Sequence, residues 1–330
     1  MNAIGIRKFG GIDVLEHMIL PVPIAVPNML VIRVVTAGVN PADWRLRAGQ
    51  FRLFVRTFPF IPGSDIAGIV ESVGKGVTRF KVGDPIFAMS PLAKGGGYGE
   101  YAAIPETAAA LIPDNLTFIE AAAVPLTGLT ALEALIDKAN VKVDDNILIY
   151  GASGGVGTLA VQLAKALGAH VTGVASGRNA ELVRSLGADE FRDYTSDDVL
   201  SGENRYSIIF DAMNVHSASQ WRHALRPNGL LVSVNPIAGN PVASLLAVLQ
   251  GFKVKGFLVK PDGRALEKLS QYLRTGQVRS VIDCVYPLND ASKAQKASEA
   301  GHTRGKLVLV VDSAYAEMTI GNFTAQTRRN

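Results

Sequence analysis

Short apolar runs separated by turn residues fill the first 110 residues of the chain. The runs at residues 30–36 and 66–73 are rich in β-branched side chains and are bounded by Gly, Pro or Asn. This pattern is typical of strands joined by tight turns. It predicts an irregular, mainly antiparallel β domain at the start of the chain.

From about residue 121 the pattern changes to alternating helices and strands. Apolar strands are predicted at residues 146–150, 170–175, 207–210 and 229–234. Helices are predicted at residues 128–139, 158–167, 179–186 and 218–225. Repeated βα units predict a parallel sheet covered by helices.

The C-terminal part of the chain is expected to return to the first domain. A helix at 264–275, a β run at 281–286, a further helix and a last strand at 306–311 follow Pro261. The predicted domains are therefore residues 1–122 with 260–330, and residues 123–259. The tail, 313–330, is polar and has no clear period, so we expect it to be loosely attached or to contribute to a neighbouring subunit.

Composition narrows the class of protein. The 330 residues are 48% hydrophobic and 19% charged, which is typical of a globular α/β protein. Cys284 is the only cysteine, so no intrachain disulfide can form, and a reducing, cytoplasmic location is expected. The N-terminus lacks a secretory h-region and no run reaches the roughly 18 apolar residues of a membrane span, so neither export nor membrane insertion is expected.

The net charge of +4 does not predict nucleic-acid binding. The positive residues are scattered, without a basic run or interleaved aromatic side chains, and a mildly basic surface is the simpler interpretation.

The most informative motif is a glycine-rich turn, GASGGVG at residues 151–157, between the strand ILIY and an apolar helix. Glycines let the backbone approach a pyrophosphate, and a helix N-terminus supplies free N–H groups. The G-x-x-G-x-x-G spacing alone is weak, since any tight turn favours glycine, but the order of strand, turn and helix strengthens it. The residues predicted to hold a dinucleotide are Ser153, Gly154, Gly155, Val156 and Gly157.

The end of the next strand favours NADPH over NADH. Residues 175–178 read Ala-Ser-Gly-Arg, where an NAD-selective site would carry an acid. Ser176 and Arg178 are predicted to bind the 2′-phosphate, although Ser176 could simply cap a helix and Arg178 could be a solvated charge. Tyr194 is a further predicted cofactor contact, with packing as its alternative.

Taken together, several motifs make the chain similar to the medium-chain dehydrogenase/reductase superfamily, and in it to the zinc-free, zeta-crystallin-like NADPH:quinone oxidoreductase branch. The motifs are AGVNPADW at 37–44, PGSDIAG at 62–68, VGD at 82–84, GYGEY at 97–101, AVPLTG at 123–128 and the glycine turn. The resemblance implies a Rossmann doubly wound parallel sheet domain plus a mainly β GroES-like catalytic domain, with the active site in the cleft, and a homodimer.

The zinc-dependent alcohol dehydrogenases of the superfamily that the chain resembles carry a catalytic Cys where Asn40 stands and a His-Glu pair where Ser64-Asp65 stands. They also carry four cysteines in a structural lobe. A zinc site needs three or four N, S or O ligands, and only Asp65 remains as a weak candidate, so zinc catalysis is not expected. The histidines do not fall at metal-binding spacings and are interpreted as surface or packing residues: His17, His170, His216, His223 and His302.

The resemblance also implies roles for three polar residues. Asn40 is expected near the nicotinamide or the substrate, Asp43 in the same corner, and Thr127 beside the cofactor. Each has a structural alternative, since Asn40 before Pro41 could fix a turn and the other two could cap helices.

Four more residues are candidates. Tyr98, in a glycine-rich loop, is a candidate mobile general acid, for which solvent could substitute. Phe257 and Leu258 are expected beside the nicotinamide, or else in the core. Lys306 would approach a cofactor phosphate or remain a solvated charge.

These observations predict a zinc-independent NADPH-dependent oxidoreductase that transfers hydride to a quinone, enone or enal, since hydrogen bonds suffice to stabilise the resulting oxyanion. One alternative is an NADPH-binding sensor, structural or RNA-associated protein without turnover. Another is an enoyl-type reductase acting on a carrier-bound substrate.

Overall fold

The computed structural model describes residues 1–53, 55, 57–201 and 204–327. The chain divides into two compact units. The first contains Met1–Leu126, Lys260–Gly276 and the residues from Ser280 onward, and the second contains Thr127–Val259 and Gln277–Arg279. No helix in the described residues is both long and apolar enough to cross a membrane.

The strands of the described residues are β1 (Asn2–Gly5), β2 (Glu16–Ile19), β3 (Met29–Val39), β4 (Asp65–Val73), β5 (Pro85–Met89), β6 (Tyr101–Pro105), β7 (Ala109–Leu111), β8 (Asn146–Tyr150), β9 (His170–Ala175), β10 (Glu190–Asp193), β11 (Tyr206–Asp211), β12 (Leu225–Ser233), β13 (Lys253–Gly256), β14 (Ile282–Pro287) and β15 (Lys306–Val310). Most follow the β-branched and apolar runs of the sequence, since such side chains pack well on a pleated surface.

The α-helices of the same residues are α1 (Pro41–Arg47), α2 (Phe118–Ala122), α3 (Pro125–Leu132), α4 (Gly155–Ala166), α5 (Ala180–Ser185), α6 (Pro241–Leu249), α7 (Gly263–Arg274), α8 (Ala291–Ala300) and α9 (Ile320–Thr327). The helix predicted at 128–139 begins earlier, at Pro125, and continues beyond α3 as a π-helix, Glu133–Lys138. Proline suits the first position of a helix because its missing N–H would have no intrahelical partner there.

The first unit is built around the long strand β3. Its main sheet runs in the order β14, β15, β3, β4, β5, β7, with β6 also paired to β3, and all pairs except β14 with β15 are antiparallel. Leu30, Ile32 and Val34 alternate along one face of β3 and lie in a buried core with residues of β4 and β5. This period of two explains why the apolar runs form a sheet.

The second unit has the predicted parallel sheet. Its strands run in the order β10, β9, β8, β11, β12, β13, and every neighbouring pair is parallel. The carboxyl ends of parallel strands meet at one edge of the sheet, which is where such folds bind their ligands. The predicted fold class is confirmed: a Rossmann-type unit and a mainly β unit.

The helix predicted at residues 218–225 is wrong. Only a 3-10 turn, Gln220–His223, forms there, and β12 begins at Leu225. Leu225 pairs with Tyr206 of β11, and Trp221 and Ala224 are buried. Because Leu225 already belongs to a paired strand, residues 218–225 cannot form a continuous helix. Tertiary contacts override the local helix propensity here.

The tail is not loosely attached over the part that the structure describes. Ala316, Ile320 and Phe323 are buried, and the Phe323 ring meets the Phe118 ring edge-on with centroids 5.7 Å apart. The backbone of Ile320 also donates to the carbonyl of Leu116. The expectation of a loose tail is therefore corrected, while contact with a neighbouring subunit stays a prediction.

Candidate functional site

The glycine turn of the second unit joins β8 to α4 at the carboxyl edge of the parallel sheet. Gly151 has a φ of 84°, which favours glycine. A Cβ on Gly157 would lie 2.0 Å from the carbonyl oxygen of Gly151, so α4 can pack this closely on β8 only with glycine at that position. Both glycines are thus required by backbone geometry.

The start of α4 offers unpaired donors next to open space. The intrahelical bonds begin with Thr158, which donates to Gly154, so the N–H groups of Gly155, Val156 and Gly157 precede them. A Cβ on Gly154 would meet only the Gly151 carbonyl oxygen, at 3.5 Å. The turn can therefore accept a pyrophosphate close to its backbone, with the helix dipole favouring the negative charge.

Ser153 and Ser176 are held together by a residue that the sequence analysis did not identify. The buried Asn179 donates its Nδ2 hydrogens to Ser153 Oγ at 3.0 Å and to Ser176 Oγ at 3.2 Å. The structure thus brings the predicted pyrophosphate turn and the predicted 2′-phosphate residue into one network. Asn179 follows Arg178 directly, and its only sequence signal was its place at the start of a helix.

Arg178 and Tyr194 both lie at the exposed surface beside this network. Tyr194 packs against Tyr150, with ring centroids 6.3 Å apart, and its backbone donates to the carbonyl of Ala175 at the end of β9. Their contacts with a 2′-phosphate stay predictions.

An acid does lie near the end of β9, although the local sequence there has none. Asp193 ends β10, directly beside Ala175 in the parallel pairing. Hydrogen bonds from Thr195, and a weaker one from the Gly177 backbone, hold the pKa of Asp193 below its ordinary value. Its carboxylate therefore braces the turn that carries Ser176, and only the β9–β10 pairing reveals it.

The other predicted cofactor residues differ in exposure. Phe257 is buried, and the Lys138 ammonium lies 5.6 Å from its ring centroid, whereas Leu258 is 44% exposed. Thr127 is buried in α3. Their contacts with the nicotinamide stay predictions.

The predicted catalytic residues of the first unit form a buried cluster. Asp43 Oδ2 accepts the backbone N–H of Asn40 at 2.8 Å and the Tyr98 hydroxyl at 3.1 Å. Asp43 therefore also bonds the first turn of α1, the structural alternative that the sequence left open. The structure thus brings Asn40, Asp43 and Tyr98 together.

Burial changes the acidity of this cluster. Desolvation, reinforced by the nearby Asp65 charge, raises the pKa of Asp43 to about 7, against the opposing effects of the Asn40 N–H and of Lys306. Burial, and then the Asp43 charge, raises the pKa of Tyr98 well above its ordinary value. Asp43 is therefore expected to titrate near neutral pH.

Lys306 and Asp65 complete the cluster. Lys306 Nζ donates to Val39 O at 3.1 Å, to Asn40 Oδ1 at 2.5 Å and to Asp65 Oδ2 at 2.9 Å. Asp65 Oδ2 also accepts from Asn40 Nδ2 at 2.9 Å, and Asp65 Oδ1 accepts the Leu126 N–H at the start of α3 at 2.7 Å. An acid, an amide and an ammonium thus share one buried network.

The sheet explains how these residues meet. Asn40 follows β3, Asp65 begins β4 and Lys306 begins β15. Gly38 pairs with Asp65, and Val39 pairs with Leu307. The C-terminal end of β3 therefore lies beside the first residues of β4 and of β15. A Cβ on Gly38 would lie 2.9 Å from the Asp65 side chain and 2.4 Å from the Ala122 carbonyl oxygen, which explains the glycine.

Two expectations are corrected here. Tyr98 is not a mobile residue open to substrate: it is 0% exposed, and its ring packs so closely on Gly63 that a Cβ there would lie 2.5 Å from it. Lys306 is neither a solvated charge nor a phosphate contact, because it is 4% exposed and bonded within the cluster. The catalytic roles of Asn40 and Asp43 stay predictions.

The positions that the sequence analysis compared with zinc ligands are Asn40, Ser64 and Asp65. Asn40 and Asp65 bond to each other and to Lys306, while Ser64 is buried and its carbonyl accepts the Ser90 N–H. Across the described ranges, no group of three or more His, Cys, Asp or Glu residues is arranged to hold a metal ion.

The chain matches two family models. One, described as an alcohol dehydrogenase GroES-like domain, matches residues 26–114. The other, described as a zinc-binding dehydrogenase, matches residues 186–309.

Two curated relatives and one solved structure match nearly the whole chain. The chloroplast envelope quinone oxidoreductase homolog of Arabidopsis thaliana is 38% identical over 94% of this chain and 98% of its own length. The NADPH-dependent alkenal/one oxidoreductase of the same plant is 33% identical over 94% of this chain and 79% of its own. The quinone oxidoreductase from Coxiella burnetii superposes with a TM-score of 0.88 at 30% identity, covering 94% of this chain and 99% of its own.

Proposed function

The chain belongs to the medium-chain dehydrogenase/reductase superfamily, in its quinone oxidoreductase branch, and on that premise we propose that it is a zinc-independent, NADPH-dependent reductase of quinones or α,β-unsaturated carbonyl compounds. The observation that carries the proposal is the turn at 151–157, where open space over Gly154 adjoins free N–H groups of α4. The names of the relatives support both the cofactor and the class of acceptor.

The residues of the second unit fit NADPH. The turn would hold the pyrophosphate, and Ser176, Arg178 and Tyr194 would hold the 2′-phosphate, with Asn179 fixing the hydroxyl of Ser176. Phe257 and Leu258 would pack on the nicotinamide and exclude water. When bound, NADPH supplies a hydride from its nicotinamide ring.

The residues of the first unit support zinc independence. In the network of Asn40, Asp65 and Lys306 an ammonium supplies the positive charge, and all three of its donors are used internally. Asn40 would donate from Nδ2 to the substrate oxygen on which negative charge develops. Because the Tyr98 hydroxyl donates to Asp43, and Asp43 in turn accepts the Asn40 backbone N–H, we assign the final proton to solvent and not to either side chain.

Chelator-treated protein is expected to oxidise NADPH with a quinone or an enone and to leave a simple aldehyde unreduced. A simple aldehyde needs stronger polarisation of its oxygen, which a metal would provide. The measurement is the loss of NADPH absorbance with one acceptor of each class, with untreated protein and acceptor-free mixtures as controls.

Each other outcome of this assay points to a different function. Loss of activity on chelation would contradict zinc independence. Binding of NADPH without turnover would favour the sensor, structural or RNA-associated protein, and turnover only of a carrier-bound enoyl substrate would favour the enoyl-type reductase.

We further propose a homodimer that forms through α6 and the adjoining edge strand β13. Five apolar side chains of α6 are 51% to 75% exposed, a face that water disfavours: Val242, Leu245, Leu246, Val248 and Leu249. β13 is the last strand of its sheet, so one of its edges is open to pairing with a second copy.

The double variant Leu245→Glu/Leu249→Glu is expected to be monomeric, because two charges would replace apolar contacts one helical turn apart. Light scattering after size-exclusion chromatography measures the mass, with Ile24→Glu, at another exposed apolar residue, as the control. A native protein that runs as a monomer would refute the dimer.

The partner chemistry that we propose is a small-molecule quinone or enone, and we propose neither a nucleic-acid nor a membrane partner. The single, exposed Cys284 supports a reducing, cytoplasmic location.

A further inference from the structure

Lys306 is a buried ammonium whose burial serves no obvious purpose in folding. Burial of an ammonium is costly in free energy because its hydration is lost. A buried ion pair is also often no more stabilising than apolar residues of the same size. Lys306 is nevertheless only 4% exposed and paired with the fully buried Asp65. Its position therefore requires an explanation beyond stability.

The hydrogen bonds of Lys306 restrict what it can do. An ammonium has three donors and no acceptor. All three are used, by Val39 O, Asn40 Oδ1 and Asp65 Oδ2. Lys306 consequently has no donor left for a substrate or a cofactor phosphate, and it can act only through the residues that it holds.

The residue that Lys306 holds most tightly is Asn40. The ammonium lies 2.5 Å from Asn40 Oδ1, and Asp65 Oδ2 lies 2.9 Å from Asn40 Nδ2. A flipped amide would place its NH2 against the ammonium and its oxygen against the carboxylate, and neither contact can be a hydrogen bond. The flanking charges therefore permit one orientation of the amide, in which one Nδ2 hydrogen is bonded to Asp65.

We propose that Lys306 is a positioning residue of the reductase: it fixes the orientation of the Asn40 amide, and with it the hydrogen-bond donor that the amide offers to a substrate oxygen. The inference rests on the proposed function, and it adds Lys306, which no comparison assigns to the site. The charge of Lys306 acts on the reaction through Asn40 and Asp43 without contact with the reacting atoms.

Lys306→Met is expected to lower kcat for the acceptor about 10- to 100-fold, because misplaced donors weaken transition-state stabilisation by amounts of this order. The dissociation constant of NADPH should change less than about twofold, as every Lys306 donor bonds within the first unit. The control is Lys165→Met, which breaks a lysine–aspartate pair in the second unit whose side chains are 33% and 31% exposed.

A double variant separates positioning from folding. Lys306→Met alone leaves Asp65 buried without its cation and is expected to lower the melting temperature. Lys306→Met/Asp65→Asn removes both charges, so it should regain stability while kcat stays low, since nothing then fixes the Asn40 amide. If Lys306→Met does not fold, the double variant alone carries the test.

The pH profile gives a readout that a purely structural role would not move. The charged and titratable groups that act on Asp43 are Asp65 on β4, Lys306 on β15 and Tyr98 before β6. One turn further along α1, the buried Arg47 pairs with Glu299 of α8. Lys306 lowers the pKa of Asp43, so its removal should move an inflection of kcat near pH 7 to higher pH.

The proposal would be overturned by any of three results. Native kcat in the double variant would make the ion pair purely structural. NADPH binding weakened more than about tenfold in Lys306→Met, with kcat unchanged, would place the lysine on the cofactor. An unshifted pH profile would show that Lys306 does not act on the cluster. All three results compare a variant with an active native protein. They are therefore distinct from failure of the proposed function, in which the native protein itself reduces no acceptor.

Discussion

Gly157→Ala is expected to weaken NADPH binding about 10- to 100-fold, since forcing an extra methyl into a packed contact costs roughly 1–3 kcal/mol. The added Cβ would lie 2.0 Å from the carbonyl oxygen of Gly151 and 2.7 Å from the Cα of Ala152. Both are backbone atoms and cannot rotate away, so α4 must move off β8 and carry its N–H groups with it. The measurement is the NADPH dissociation constant by fluorescence titration, together with the melting temperature.

Gly154→Ala is the matched control for this substitution. Its Cβ would meet only the Gly151 carbonyl oxygen, at the ordinary contact distance of 3.5 Å, so the melting temperature should be unchanged. Its NADPH affinity should still fall about tenfold if the pyrophosphate occupies the open space. Native affinity in both variants would mean that the turn does not hold the cofactor.

The sequence predicted the turn well because everything that defines it is contiguous. The strand, the four glycines of the turn and the helix lie within residues 146–166, and their order alone fixes the backbone path. The parallel sheet followed from the alternation of apolar runs for the same reason. Asp193 and Asn179 were missed, since their contacts with Gly177 and Ser176 depend on strand pairing and on how α5 begins.

The buried cluster could be predicted only in part. The family resemblance placed Asn40 and Asp43 in one corner, and the two residues lie only three positions apart. Lys306 is 241 residues from Asp65, and only the register of β15, β3 and β4 brings the two together. Without knowledge of that register, a lysine at the start of a strand is expected to be exposed to solvent, and a tyrosine among glycines is expected to be mobile. Both expectations were wrong here.

Helix α6 illustrates a different limit. Seven of its nine residues, PVASLLAVL, are apolar, so no polar face sets a helical period that the sequence analysis could detect. The helix is nevertheless largely exposed. We relate this helix to a second copy of the chain, because a second copy would cover the apolar side chains that α6 exposes to water.

The two units therefore contain candidate sites of two different kinds. In the second unit, backbone N–H groups and glycines make up the proposed pyrophosphate site, so a change in backbone shape is expected to have the larger effect. In the first unit, buried side chains hold one another, and a change of charge has the larger effect. Choice between cofactors depends on the side chains that border the backbone site.

Ser176→Ala/Arg178→Ala is expected to reduce the preference for NADPH over NADH about 100-fold, because charge-assisted hydrogen bonding to the 2′-phosphate contributes up to roughly 3 kcal/mol. NADH lacks the 2′-phosphate, so its kcat/KM should stay near the native value while that of NADPH falls. The measurement is kcat/KM for both cofactors with the same acceptor.

Arg184→Ala provides the matched control for this test. Arg184 is exposed in α5, where its guanidinium lies 5.4 Å from the Phe191 ring centroid, so its loss removes one positive charge from the same unit. A general electrostatic effect would lower NADPH turnover equally in Arg184→Ala and in the double variant. A specific 2′-phosphate site requires that the control retain its preference for NADPH and that the double variant lose it. Equal use of the two cofactors by the native protein would contradict the assignment of Ser176 and Arg178 altogether.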